Sequence, residues 1–151
     1  MSLVNWLGLG LIFSMTFSTV AFANQYMKPE DIRRSIVQAR DAWVARDANA
    51  IAQMFAPDGE IIVPGKRWQG QGEIRAEVAR FAQQYSNVKI DIRRIIVEGN
   101  QAVVEWHYED TENATGLRNK ADDAIVVDFQ DGWIYRWREY FDNQTPESKT
   151  S

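Results

Sequence analysis

The chain has 151 residues, 45% of them hydrophobic, with six Trp, which suffices for one domain with a sizeable core. Net charge is −4 with both signs interspersed, so there is no basic face of the kind that phosphate backbones require, and nucleic acid is excluded as a partner. Cysteine is absent and His107 is the sole histidine, which removes disulfides, thiol catalysis and a protein-ligated zinc site; no cofactor is expected.

In chain order, residues 1–23 differ from the rest. No Lys, Arg, Asp or Glu occurs before Lys28. An apolar run from Trp6 to Phe22 ends in Ala21-Phe22-Ala23, a small-x-small cleavage pattern. This predicts a signal peptide over 1–23, a mature chain from Asn24 in the periplasm or secreted, and no stable membrane association after cleavage. The rival reading is an uncleaved anchor.

Pro29-Glu30-Asp31 opens a first helix, with Ile32, Ile36, Ala39 and Trp43 as its apolar stripe. Asp47 is placed to cap a short second helix through Ile51, Met54 and Phe55, ended by Pro57-Asp58-Gly59. Glu60 to Val63 reads as a strand stopped by Pro64-Gly65, and Gln71 to Tyr85 as a third helix. The period then changes to two. Val88, Ile90 and Ile92 share one face, but Ile95 and Val97 carry the opposite phase, as a β-bulge produces. Gly99-Asn100 turns the chain into strand Gln101 to Glu109. A polar loop over Thr111 to Asn119 leads to strand Ala121 to Gln130, and Asp131-Gly132 turns into strand Trp133 to Phe141. Residues 143–151 read as a flexible polar tail. Three helices followed by an antiparallel meander give an α+β class with helices on one face of the sheet.

Strand alternation groups Trp133, Tyr135, Trp137, Glu139 and Phe141 on one side of the last strand. It groups Asp123, Ile125, Val127 and Phe129 on the strand before, and Ala102, Val104, Trp106 and Tyr108 on the one before that. Alternation alone leaves open which side faces inward.

The segments Phe55-Ala56-Pro57-Asp58-Gly59-Glu60, Trp68-Gln69-Gly70, Asp131-Gly132-Trp133-Ile134 and Trp137-Arg138-Glu139-Tyr140-Phe141-Asp142 resemble the snoaL-like branch of the nuclear transport factor 2 superfamily. The resemblance covers Pro29 to Asp142, within a domain bounded at 24–142. It implies a cone-shaped, curved antiparallel sheet with three N-terminal helices enclosing a pocket, and a homodimer. It places Asp123 and Glu139 as pocket carboxylates, and the lining expected with them is Trp43, Phe55, Trp106, Ile125, Val127, Trp137 and Phe141. The plainer reading of Trp43, Trp106 and Trp137 is core.

Two carboxylates in an apolar cavity are suited to acid–base work, because burial and mutual repulsion keep one protonated while its partner acts as base. Tyr108 is the candidate donor to a developing oxyanion. The expected function is therefore binding of a small, mostly apolar molecule, with isomerase, cyclase or hydro-lyase chemistry. A non-catalytic binding or dimerisation module and a filled core are the rivals.

The machineries of named relatives fit less well. Against ketosteroid isomerases, the base carboxylate falls at Val63, the oxyanion Tyr at Ala39 and the oxyanion Asp at Ile125. Against limonene epoxide hydrolases, Glu139 matches one acid, but the partner Arg and Asp fall at Trp106 and Tyr108, leaving Asp110 as the one substitute and the set incomplete. His107 alternates with Val103, Glu105 and Glu109 and is expected on the outer, solvent or interface face. Arg93, Arg94, Arg136 and Arg138 are expected to form solvated ladders or to pair with Glu105 and Asp128 across strands.

Overall fold

The computed structural model describes residues 26–142; the leader and the polar tail lie outside them. Helix α1 (Pro29–Ala45) starts with Pro at its first turn, beside Glu30 and Asp31, where free N–H groups favour negative charge. It ends where Arg46 enters the left-handed region at φ 57° and returns its N–H to Trp43. Asp47 then caps α2 (Ala48–Gln53), accepting from the N–H groups of Asn49 and Ala50 at 3.0 and 2.9 Å. The remaining elements are β1 (Phe55–Val63), β2 (Lys66–Gln69), α3 (Gly70–Gln84), β3 (Tyr85–Glu98), β4 (Gln101–Glu112), β5 (Arg118–Gln130) and β6 (Trp133–Asp142). They form one six-stranded sheet in the order β2-β1-β6-β5-β4-β3, antiparallel except for the parallel β1–β6 pair.

The sheet is larger than the sequence signals predict. Phe55 does not end α2; it starts β1, pairing with Ile134, while the Ile134 N–H bonds to the Met54 carbonyl at 2.9 Å. Pro57-Asp58-Gly59 is thereby a register shift inside a strand instead of a helix terminator. Pro64-Gly65 folds β1 back on β2, an edge strand whose Lys-Arg-Trp-Gln composition gives little β signal. The expected loop at 111–119 shrinks because Thr111 and Glu112 pair with Ser86 and Tyr85, and Arg118 with Thr111.

Bulges set the curvature. The expected one in β3 is present: Ile92 pairs with Trp106 and Arg94 with Glu105, leaving Arg93 extra. A second lies between Ser86 and Lys89, where Asn87 has a φ of 54°. A third corrects the alternation read for β6. Asp128 pairs with Arg136 and Phe129 with Ile134, so Tyr135 is the extra residue. Ile134 and Trp137 therefore both point inward, each 1% exposed, while Trp133 and Tyr135 are exposed.

The core forms between the inner sheet face and the helices. Ile32 and Ile36 of α1, Ile74 and Val78 of α3, and Val104, Ile125, Val127 and Trp137 of the sheet are all buried. Each such side chain contributes roughly 1.5–3 kcal/mol on leaving water.

Candidate active site

The sheet and helices do not close completely on each other. Between them lies a cavity of about 680 Å³ whose walls include Trp43 of α1, Val63 of β1, Trp68 of β2, Phe81 of α3 and Ile90 of β3. Trp43 meets Phe81 edge-on at 5.8 Å, and Phe81 stacks on Tyr85 at 5.2 Å, forming a continuous aromatic wall. Trp106, Tyr108, Asp123, Glu139 and Phe141 complete the opposite, sheet side.

Register brings the two expected carboxylates together. Asp123 pairs with Phe141 and Ile125 with Glu139, so Asp123 and Glu139 are diagonal neighbours on adjacent strands, facing the same cavity. Each is held by one indole. The Trp106 Nε1–H donates to Asp123 Oδ2 and the Trp137 Nε1–H to Glu139 Oε1, both at 2.6 Å, and the two indoles pack at 5.6 Å between centroids. Indole is a neutral donor, so neither carboxylate gains a counter-charge from it.

Burial consequently dominates their titration. Asp123 is pushed up to about 6, by desolvation first, with the Trp106 hydrogen bond opposing and Asp122 adding repulsion. Glu139 is pushed up to about 7, again by desolvation, with the Trp137 hydrogen bond opposing and Asp123 adding repulsion. Carboxyls pushed up to about 6 and about 7 lie near the working pH that proton transfer favours.

Tyr108 lines the cavity but is differently employed. Its hydroxyl donates to Asp110 Oδ2 at 2.5 Å, so its proton is directed at that carboxylate and not at a ligand oxyanion. Burial first, and then the Asp110 hydrogen bond, raise its pKa, keeping the phenol neutral. Asp110 is itself 5% exposed, and its other oxygen accepts from Asn119 Nδ2 at 2.7 Å. The Tyr108–Asp110–Asn119 cluster forms a second polar pole of the cavity, which alternation along one strand does not reveal because Asn119 comes from the neighbouring strand.

Of the expected lining, Trp43, Trp106 and Phe141 face the cavity, with Phe141 46% exposed. Phe55, Ile125, Val127 and Trp137 do not line it: they are at most 2% exposed and belong to the packed core beneath, Trp137 acting only through Glu139. Val63 presents an apolar side chain at the position matched to the ketosteroid isomerase base, and Ala39 and Ile125 are buried core. Phe81 and Tyr85 belong to the expected third helix and Trp68 to a segment of the family resemblance; their convergence on the cavity depends on how α3 and β2 close over the sheet.

His107 faces outward, as expected. Its Nδ1 lies 2.8 Å from Asp122 Oδ1 and its Nε2 3.4 Å from Glu109 Oε1, while Arg93 reaches Asp122 at 3.2 Å. The expected cross-strand pairs form: Arg94 with Glu105 at 2.9 Å and Arg136 with Asp128 at 2.6 Å. Among the described residues there is no group of three or more His, Asp or Glu placed to hold a metal, and no helix long and apolar enough to cross a membrane.

The SnoaL-like domain family matches residues 36–137 of the chain. Solved structures agree on the fold. A Catenulispora acidiphila protein of ketosteroid isomerase-like fold, in complex with trimethylamine, aligns at 21% identity over 76% of this chain and 86% of its own, with a TM-score of 0.67. An epoxide hydrolase of the limonene type from M. tuberculosis aligns at 21% identity over 75% and 84%, with a TM-score of 0.67. A putative SnoaL-like polyketide cyclase from Jannaschia sp. aligns at 17% identity over 78% and 91%, with a TM-score of 0.68. No curated protein matches.

Proposed function

This chain belongs to the SnoaL-like domain family, and within it we propose an exported enzyme that moves a proton on a small, mostly apolar substrate, using Asp123 and Glu139. The observation that carries this reading is the carboxylate pair itself. Both acids face one aromatic cavity, each is fixed by one indole N–H, and burial raises them to about 6 and 7.

The chemistry follows from which groups are free. Both indole N–H groups and the Tyr108 hydroxyl already have acceptors, so the donor best placed to meet a developing oxyanion is a protonated carboxyl of the pair. An ionised carboxylate takes a proton from a carbon next to a carbonyl. The C–H electrons move into the new C=C bond, and the carbonyl oxygen takes the proton of the neighbouring acid. Returning a proton to a different carbon isomerises the substrate; loss of a β-leaving group makes the same step a hydro-lyase reaction. The resemblance sets Trp106 and Tyr108 where limonene epoxide hydrolases have the Arg and Asp, which argues against epoxide hydrolysis.

The test requires no knowledge of the natural substrate. Incubated in D2O with a small cyclic ketone such as 2-methylcyclohexanone, the wild-type protein should incorporate deuterium beside the carbonyl, as mass spectrometry would show. Asp123→Asn and Glu139→Gln should each slow this by about 100-fold or more. Exchange no faster than buffer would assign the cavity to binding without chemistry, and faster exchange unchanged in both variants would remove the pair from it.

A further inference from the structure

The cavity wall contains an acceptor with nothing to accept. Asp123 is 8% exposed, its Oδ2 is taken by Trp106, and its Oδ1 is buried without a hydrogen-bond partner. Asp123 lines the cavity, so a small turn of its carboxyl presents this enclosed oxygen to a ligand, and an unmet buried acceptor calls for a donor.

The charges around it say what kind of donor. Four acids line the cavity, Glu77, Asp110, Asp123 and Glu139, against two bases, Arg118 and Lys120. Arg118 reaches the Glu109 carboxylate at 3.3 Å with a side chain 66% exposed, so its charge is drawn to the rim. Glu77 is bonded to Arg80, and Asp110 to Tyr108 and Asn119. The side chains that donate to Asp123 and Glu139 are two indoles, Trp106 and Trp137, both neutral. An anion entering this space meets repulsion, and a neutral apolar molecule removes water from carboxylates without replacing it. A cation supplies both the missing donor and the missing charge. The walls suit it as well, because the faces of Trp43, Trp68, Trp106 and Phe81 attract cations that have lost part of their hydration.

We propose that the ligand of this cavity carries a protonated amine on an apolar body, with an N–H donating to Asp123 Oδ1. This rests on the cavity being the functional site and refines the roles of the pair. Glu139 is the member that takes the proton from one carbon and returns it to another; Asp123 is the acid that meets the carbonyl oxygen of a simple ketone and, ionised, the anchor of the ammonium in an amine ligand. A volume of about 680 Å³ accommodates a bicyclic amine.

Three probes with one indole body separate the possibilities: tryptamine, indole-3-ethanol and indole-3-acetate, titrated calorimetrically at pH 7.5. Tryptamine is expected to bind at least tenfold more tightly than the alcohol, and the acetate most weakly. Asp123→Asn should bring tryptamine within about threefold of the alcohol. Asp122→Asn, which removes the same charge from the opposite face of the same strand, should leave the amine preference intact. Should Asp123→Asn fail to fold by circular dichroism, Glu139→Gln serves instead, and tryptamine should keep part of its advantage through Asp123. Equal binding of amine and alcohol by wild type, or no binding of any of the three, overturns the proposal. Deuterium exchange into the ketone with no amine preference removes this inference alone; an amine preference without exchange removes the proton-transfer reading alone.

Discussion

Asp123 is a carboxylate that the folded chain favours in its protonated form. Its pKa rises from 3.8 to about 6 on folding, chiefly because burial penalises the charge. A group raised in this way stabilises the fold fully below its unfolded pKa, and that contribution is lost as pH rises through the folded value. Two units correspond to about 3 kcal/mol. Glu139, raised to about 7, acts in the same direction, whereas Asp122, lowered mainly by the His107 hydrogen bond, acts oppositely and at lower pH. Wild type should therefore lose stability between pH 4 and 7. Asn at 123 keeps an acceptor for Trp106 and removes the titration. Urea unfolding should show Asp123→Asn gaining on wild type by up to about 3 kcal/mol between pH 4.5 and 8. A pH-independent difference between the two would show that Asp123 is not desolvated. The sequence carried the identity of this pair through the family resemblance, most directly for Glu139 in the segment Trp137 to Asp142. It carried nothing of the indole donors, because a Trp and the acid it bonds are joined only by strand register and side-chain rotamer.

At the scale of elements, the strands with alternating β-branched residues and the turns at Gly99-Asn100 and Asp131-Gly132 were legible, as was the β3 bulge. The missed features are those whose cause is non-local. Nothing in Phe55 to Gly59 encodes parallel pairing with β6, and nothing around Tyr135 encodes an extra residue, yet both arise where β1 meets β6. Gly59 marks that meeting. A Cβ there would lie 2.8 Å from the Ile134 carbonyl oxygen and 3.1 Å from that of Ala56, both backbone atoms that cannot yield cheaply. Gly59→Ala should cost about 1–3 kcal/mol through overpacking. Gly72→Ala, in α3 with no atom within 4 Å of its Cβ, should instead gain up to about 1 kcal/mol. Thermal melts of both variants check this. A neutral Gly59→Ala would mean that the β1–β6 junction is looser than the 2.8 Å approach implies.

At the scale of the molecule, the helices pack against the inner sheet face, and among the described residues the outer face carries ion pairs and a few apolar side chains. Register places Ile96, Val103, Val126 and Arg138 in one row across β3, β4, β5 and β6, with Ala124 and Tyr140 in an adjoining position. Ile96 is 52% and Tyr140 51% exposed, and Arg138 lies over the Tyr140 ring at 5.4 Å. A row of β-branched side chains flanked by the Arg94–Glu105 and Arg136–Asp128 pairs has the apolar centre and charged rim of a self-complementary contact. The homodimer expected from the family resemblance is proposed to form here. Native mass spectrometry of protein expressed with its leader intact should then show a dimer of chains that begin at Asn24, the start predicted by Ala21-Phe22-Ala23. Val126→Lys places a charge at the centre of the row and should yield monomers at micromolar concentration, with tryptamine affinity unchanged because Val126 points away from the cavity. A wild-type monomer at that concentration would rule out the contact, and an intact N-terminus at Met1 would assign the leader to anchoring instead of export.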